Sequence, residues 1–293
     1  MDEAVRARSR SDVVGVAFAA GAYLVWGLFP VYFRLLRGVP APEILAHRIV
    51  WSAAFLVLLV TVLRRWGEAL RQLRVPGTIP SLAASAVFIS ANWLTYIWAV
   101  NSGHVLEASL GYFVNPLVTV LLGVIFLHES LTRRQVLAVA LAAGGVLWLV
   151  VRGGHVPWVA LGLALSFALY GLVRKRLRVD STSGLLAETC LLAPLALLYL
   201  VTIRSESHLG TAPLLATSGV VTAVPLLWFA AGVQRLRLST VGLLQYLNPT
   251  MQFAIAIFLF HEPFGGDHAV AFACIWASLA IYTWEALRLQ RRA

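Results

Sequence analysis

Apolar residues run along this chain in long stretches, without the alternation of half-buried strands or the one-sided stripe of a soluble helix. The stretches fall at 13–36, 42–63, 78–100, 103–127, 134–151, 156–174, 183–203, 211–233, 239–260 and 267–287. Each is close to the roughly 20 residues that an α-helix needs to cross the hydrocarbon core of a bilayer. The pattern predicts an all-α polytopic membrane protein with ten transmembrane helices. The connections are short. The longest, Arg64 to Gly77, carries Arg64, Arg65, Arg71 and Arg74.

Composition agrees with this pattern. Of 293 residues, 60% are hydrophobic and only 12% charged, against about 25% charged in an ordinary soluble domain. A soluble, disordered or fibrous protein is excluded. The net charge of +10 would suit a nucleic-acid binder, but the cations sort by loop. With a cytoplasmic N-terminus, one face holds Arg6, Arg8, Arg10, Arg64, Arg65, Arg71, Arg74, Arg133, Arg134, Arg174, Lys175, Arg176, Arg178, Arg235, Arg237, Arg288, Arg291 and Arg292. The other face holds Arg34, Arg37, Arg152 and Arg204. The positive-inside bias predicts both termini in the cytoplasm of a cell with this protein in its inner membrane. It also removes nucleic acid as a partner, because the charge is spread over several loops. Arg6, Arg8 and Arg10 before Ala17-Phe18-Ala19 imitate a signal peptide. The apolar run continues well past that point and reads as a retained span. Cys190 and Cys274 both lie inside apolar runs, so neither a disulfide framework nor a paired-cysteine metal site is expected.

The chain repeats itself. Leu110-Gly111-Tyr112-Phe113-Val114-Asn115-Pro116 recurs as Leu243-Leu244-Gln245-Tyr246-Leu247-Asn248-Pro249, and His128-Glu129 recurs as His261-Glu262, both at an offset of 133. Ile44-Leu45-Ala46-His47 matches Leu185-Leu186-Ala187-Glu188. Two halves of five spans follow. Five is odd, so the second half enters the membrane from the opposite side. This is an inverted-topology repeat, a common transporter architecture.

The chemistry-bearing positions sit on this frame. Asn-Pro occurs at equivalent places in spans four and nine. Proline has no N–H, so Pro116 frees the carbonyl of Tyr112 and Pro249 that of Gln245. Such carbonyls should face protein or a wet cavity. Tyr112, Asn115 and Thr119, and their repeat Gln245, Asn248 and Gln252, each form one polar stripe. Paired interrupted helices point to a midplane solute site, with Pro116 and Pro249 as hinges. The competing reading is a helix-packing kink with interhelical amide bonds. The third span adds Ser81, Ser85, Asn92 and Tyr96 on one face, flanked by Trp93 and Trp98. Its counterpart in span eight has Pro225, Trp228 and Phe229. An aromatic, amide-lined cavity suits an amphipathic solute. Trp and Tyr are also common interfacial anchors.

Ionisable residues within spans are costly and are functional candidates. Arg48 reads as an anion anchor, and Glu188 or His47 as a proton-titrating coupler. Snorkelling to nearby headgroups is the alternative for each. Glu43 and Glu107 stand at helix starts, where the dipole already favours an acid. His128-Glu129 and His261-Glu262 fall on opposite faces by symmetry and read as turn residues. Thr132 to Gln135 reads as a capping box opening span five. His104, His155, His208 and His268 lack metal-ligand spacing. No nucleotide, hydrolase or metalloprotease motif is present, so no cofactor is expected.

The chain resembles the drug/metabolite transporter superfamily built from twin EamA repeats. The glutamate turns at Glu129 and Glu262 carry that resemblance. Ala46-His47-Arg48-Ile49-Val50-Trp51, Ala91-Asn92-Trp93-Leu94-Thr95-Tyr96-Ile97-Trp98, Leu110 to Leu117 and Gln245-Tyr246-Leu247-Asn248-Pro249-Thr250 are similar to its RarD group. The turn often reads Gly-Glu in that group and reads His-Glu here. The resemblance implies ten helices around a central cavity. It divides the chain into a cytoplasmic tail 1–12, a first repeat 13–151, an inverted second repeat 152–287 and a tail 288–293. The functional expectation is a secondary transporter exporting a small amphipathic metabolite or drug by alternating access, with proton coupling as an option. Asn92, Trp93, Tyr96, Tyr112, Asn115, Gln245, Asn248 and Arg48 are the expected solute contacts. Membrane lipid is the surrounding partner, and the protein is expected as a monomer or homodimer. The alternative is an integral-membrane enzyme acting on a lipid-linked substrate. The scattered acids weigh against it.

Overall fold

Unlike a water-soluble protein, the chain is apolar on its outside as well as in its core. In a computed structural model of the chain, which describes residues 3–127, 131–154, 156–177, 179–203, 210–233 and 244–290, Leu58, Val62, Val87, Leu198, Val201 and Phe258 point outward. Arg48, Asn92, Asn115, Glu188 and Gln252 are buried. A bilayer is as apolar as leucine, so the outer face needs no polar cover, and polar side chains must find each other inside.

All regular structure among the described residues is helical. The helices are α1 (Glu3–Gly27), α2 (Phe29–Leu35), α3 (Ala41–Val62), α4 (Trp66–Leu73), α5 (Thr78–Asn101), α6 (Val105–Leu127), α7 (Arg133–Gly153), α8 (Trp158–Arg176), α9 (Ser181–Thr202), α10 (Ala212–Val233), α11 (Leu247–Ala254) and α12 (Gly266–Gln290). Six stretches are long and apolar enough to cross a membrane: Val13–Leu35, Ala41–Val62, Thr78–Asn101, Arg133–Arg152, Thr182–Thr202 and Ala212–Phe229. A seventh is bent, with Val105–Asn115 and Leu117–Phe126 meeting at 40° around Pro116. The chain is therefore a multi-pass membrane protein. Two features lie outside the apolar pattern. The Arg64–Gly77 connection forms the short helix α4, which buries Ala69 and packs on α5 and α9. The first apolar stretch breaks at Leu28, and Pro30 falls in the first turn of α2, where its missing N–H costs no bond.

The ninth stretch is broken ahead of its proline. Helix α11 begins at Leu247 after a turn at Tyr246, which puts Pro249 in its first turn. The interruption is thus a helix start, and Gln245 and Asn248 lie on either side of it. Residues 239–243 lie outside the described residues. Beyond α11 the helix widens into a π-turn over Ile255–Leu259. It closes at His261, whose φ of 52° is left-handed, a conformation in which histidine is enriched among non-glycine residues. The Glu262 N–H then reaches back to the Ala256 carbonyl at 2.9 Å, which satisfies one of the orphan carbonyls of the helix end. The Glu262 carboxylate accepts the N–H groups of Val105 (2.8 Å) and Leu106 (2.7 Å) at the start of α6. Glu107 similarly accepts the Val159 N–H of α8 at 3.0 Å. Each acid thus caps the start of another helix, whereas the sequence reading places Glu107 at its own helix start and Glu262 in a turn. His128-Glu129, His155, His208 and Arg204 lie outside the described residues.

Thr132 and Gln135 form the reciprocal capping box of α7. Asp180 caps α9, accepting the N–H groups of Thr182 and Ser183 and the Ser183 hydroxyl. The helices interleave. α6 packs on α8 and α11, α5 on α8 and α9, α3 on α9 and α10, α1 on α10 and α11, and α7 on α12. Two glycines permit the closest crossings. A Cβ at Gly219 of α10 would strike the backbone of Trp51 and Ser52 in α3, and one at Gly111 of α6 would lie 2.7 Å from the Ala160 carbonyl oxygen of α8.

Candidate functional site

A cavity of about 340 Å³ opens between these interleaved helices. Its size falls within the range of small-molecule sites. The eight expected solute contacts, Arg48, Asn92, Trp93, Tyr96, Tyr112, Asn115, Gln245 and Asn248, all line it. Pro249 and Gln252 line it too, so the α11 break opens directly onto the space. His47, next to Arg48 on α3, is half-buried and does not line the cavity. A helix turns about 100° per residue, so Arg48 and His47 face different ways.

Aromatic residues make up nearly half of the wall. Tyr23 and Trp26 of α1 stack edge-on with Phe229 of α10, with ring centroids 5.5–5.8 Å apart. Tyr96, Tyr112, Phe167 and Tyr170 continue the ring around the opposite side. Tyr23, Trp26, Phe167 and Tyr170 were not recognisable from sequence. Aromatic residues are common in membrane helices, and nothing local marks these four as cavity-facing.

Within this ring the polar groups divide into satisfied and unsatisfied. Asn92 uses its whole amide on protein. Nδ2 donates to the Leu163 carbonyl (2.9 Å) and to Ser166 Oγ (3.0 Å) on α8, and Oδ1 accepts the Tyr112 hydroxyl (3.3 Å). Its local role is to hold α5 against α8 and to aim Tyr112. Asn248 Oδ1 accepts Gln252 Nε2 at 2.7 Å along α11. Ser109 Oγ of α6 donates to the Pro249 carbonyl at 2.8 Å and ties the two broken helices together. By contrast the Tyr96 hydroxyl, Asn115 Oδ1 and Gln252 Oε1 are buried with no hydrogen-bond partner among the described residues. Each such group costs roughly 1–3 kcal/mol while unsatisfied.

Two arginines reach the cavity. Arg48 is 4% exposed. Its Nε donates to Thr222 Oγ1 of α10 at 2.7 Å, and its guanidinium carbon lies 4.1 Å from the ring centroid of Trp93 and 5.5–5.7 Å from those of Phe29 and Phe33. It does not snorkel. Arg174 corrects the sequence reading, which counted it among the loop cations at the end of span six. Its side chain folds inward, lines the cavity and places Nη1 3.7 Å from Glu188 Oε1. The slot it enters is Gly184 of α9, where any Cβ would collide with the guanidinium. Glu188 is 1% exposed and also accepts the Ser85 hydroxyl of α5 at 2.5 Å. It too is held by protein, not by headgroups. Arg174 could be found only by pairing a charge run on one helix with a glycine on another.

Among the described residues no group of three or more His, Cys, Asp or Glu side chains is arranged to hold a metal ion. The model of the EamA-like transporter family matches residues 13–151 and again 156–284. The chain belongs to the EamA-like transporter family. Within it the chain falls in the RarD group. It is 50% identical over 285 residues to Protein RarD of Escherichia coli, covering 95% of this chain and 96% of that one. It is 48% identical over 286 residues to the uncharacterized transporter YojE of Bacillus subtilis, covering 94% and 96%. It is 33% identical over 290 residues to the chloramphenicol-sensitive protein RarD of Pseudomonas aeruginosa, covering 95% and 96%. A solved structure, described only as a crystal structure of a protein, superposes with a TM-score of 0.62 over 93% of this chain and 98% of that one. At 19% identity that likeness concerns the fold alone. This EamA protein is a multi-pass membrane transporter with an aromatic cavity.

Proposed function

We propose that this protein is a secondary transporter that exports a small amphipathic solute by alternating access. Ten spans form two inverted five-helix units, with both termini cytoplasmic. The helix pairing supports this reading. Numbering α1, α3, α5, α6 and α7 as spans one to five and α8, α9, α10, α11 and α12 as six to ten, an inverted repeat maps each span onto the one five later. Contacts α3–α9, α6–α11 and α7–α12 then map onto themselves. The contact α5–α8 maps onto α10–α1, α6–α8 onto α11–α1, and α3–α10 onto α9–α5.

The observation that carries the solute site is the set of unsatisfied buried groups, Tyr96 hydroxyl, Asn115 Oδ1 and Gln252 Oε1, around one cavity. Buried polar groups are normally paired, so three unpaired oxygens on residues lining one cavity favour a solute site, although Ser52, Ser90 and Asn101 carry unpaired atoms away from it. Trp93, Tyr112, Gln245 and Asn248 complete the contacts, with Asn92 positioning Tyr112. The bend at Pro116 and the break before Pro249 provide the flexing points. No nucleotide motif exists, so the solute moves by a gradient-driven step or by simple facilitation. Glu188 is the candidate proton carrier because its exchange between Arg174, which lines the cavity, and a proton would alter charge at the wall. His47 has no such partner on the wall and is the weaker candidate.

The test starts with a thermal-stability screen of purified protein against amino acids, nucleosides and chloramphenicol. The most stabilising solute is then followed in proteoliposome flux. Asn115→Leu and Asn248→Leu should fold and lose flux. Unchanged flux in both would remove these residues from the mechanism.

A further inference from the structure

The charges around the cavity do not balance, and the imbalance identifies a class of solute. Two guanidinium groups face the space, those of Arg48 and Arg174. One carboxylate accompanies them, that of Glu188, and it is committed to Arg174 and Ser85. The other acids whose side chains the structure describes are engaged elsewhere. Glu262 and Glu107 cap helices α6 and α8, and Asp180 caps α9. Glu68 pairs with Arg65, Asp267 with Arg152 and Glu285 with Arg134. Glu43 acts on His47, a neighbour on its own helix. Among the described residues Arg48 forms no ion pair, and the ionisable side chains acting on it are Tyr32, Tyr96 and Tyr112.

A buried charge without a counter-charge is costly, and removing one partner of a buried pair is strongly destabilising. Arg48 is held in that state by weaker means. Thr222 offers a neutral oxygen, and Trp93, Phe29 and Phe33 offer ring faces. Nε is taken by Thr222, while neither Nη has an acceptor among the described residues. These two nitrogens form the end-on fork that matches a carboxylate. Beside the fork the wall is aromatic, formed by Trp93, Tyr96 and Tyr112 and, across the space, by Trp26 and Phe229.

We infer that the cavity selects a singly charged organic anion, a carboxylate on a flat apolar or aromatic body, with Arg48 as its counter-charge. One uncompensated cation matches one negative charge. The inference rests on the reading of the cavity as a solute site and adds the charge and shape of what enters it. Arg174 is not the anchor in the described state, because Glu188 already occupies it.

The experiment uses the full chain in detergent micelles and needs no compartments. The probes are phenylacetate, its neutral isostere phenylacetamide, and the cation phenethylamine. Binding is read from the change in intrinsic tryptophan fluorescence, to which Trp26 and Trp93 in the cavity contribute among the ten tryptophans, and from thermal stabilisation. Phenylacetate should bind saturably and about tenfold or more tighter than phenylacetamide, and phenethylamine should give no response. Arg48→Gln should abolish the preference for the acid over the amide. Arg48→Lys retains the charge and should fold, but it loses the fork. It should weaken phenylacetate about tenfold and phenylacetamide by clearly less. Equal binding of acid and amide by the unsubstituted protein overturns the inference. So does absence of a saturable response to phenylacetate, or an acid preference that survives in Arg48→Gln. Solute flux without an acid preference would sink this inference and spare the transport reading. An acid preference without flux would do the reverse.

Discussion

The guanidinium of Arg174 occupies the space that a side chain at Gly184 would fill. This one vacancy lets a cation from the end of α8 pass across α9 and reach Glu188, one turn further along. A methyl group at position 184 would push the flexible arginine aside and leave Glu188 with the Ser85 hydroxyl alone. Gly184→Ala should therefore lower stability by about 1–3 kcal/mol, the cost of a buried group losing its partner. In an Arg174→Ala background the same change should reverse sign and stabilise by up to about 1 kcal/mol, because only helix propensity remains. A double-mutant cycle of thermal melts checks both values, and additivity would show that the two residues do not act together.

Tyr96 offers a second sign reversal. Its hydroxyl is buried without a partner among the described residues. Tyr96→Phe should leave the empty protein as stable as before, or more stable by about 1 kcal/mol. It should also reduce the stabilisation given by whichever solute protects the unsubstituted protein. Melting curves with and without that solute measure both effects on one sample. A destabilised empty protein would mean that the hydroxyl is already bonded.

Asp180 sets the behaviour in acid. Partial burial pushes its carboxyl up, but the hydrogen bonds from Ser183, Gln72 and Thr182 outweigh burial and hold it below the usual carboxylate range. A depressed folded-state value means that the capping contribution is complete above the unfolded carboxylate pKa. It is lost as the pH falls through the folded one. Asp180→Ala should cost about 1 kcal/mol at neutral pH. The gap from the unsubstituted protein should close in strong acid. Parallel melting curves from neutral to acid pH test this, and a gap that widens in acid would refute it.

Glu262 crosses from one matched region of the chain to the other to cap α6. Glu262→Ala leaves the N–H groups of Val105 and Leu106 without their acceptor and should destabilise by about 1–2 kcal/mol. Glu262→Gln, which keeps one carbonyl oxygen, should cost less. Hydrogen exchange at the start of α6 should quicken in Ala more than in Gln. Unchanged exchange there would place the stabilisation elsewhere.

Features fixed by neighbours in sequence were readable before any fold was known. The Thr132–Gln135 box needs only a spacing of three, and the polar stripes at Asn115 and Asn248 need only the helical period. The duplicated Asn-Pro positions drew attention to two broken helices, and their lining neighbours followed from periodicity. Features that depend on a partner helix were not readable. Arg174 stands in a basic run that looks like any cytoplasmic loop, and its slot at Gly184 is visible only when α8 and α9 are packed. Asn92 lines the cavity as its stripe suggests, but sequence cannot reveal that the Leu163 carbonyl and Ser166 take its donors. The π-turn before His261 had no local marker, since its residues Ile255–Leu259 are as apolar as any lipid-facing helix.

The two extremities of α8 are anchored by different kinds of bond. At one, the Val159 N–H is fastened to Glu107, beside the Glu262 clasp on α6. About 22 Å along the same helix, Arg174 meets Glu188 across 3.7 Å, with Nη1 and Oε2 lacking a hydrogen bond among the described residues. The first bond gives a main-chain amide its acceptor, and at the second extremity Arg174 and Arg176 also donate to the Asp180 and Phe126 carbonyls at 3.4 and 3.1 Å. Both ends of α8 are thus fastened to main chain, one through an acid on its own amide and the other through its arginines on neighbouring carbonyls.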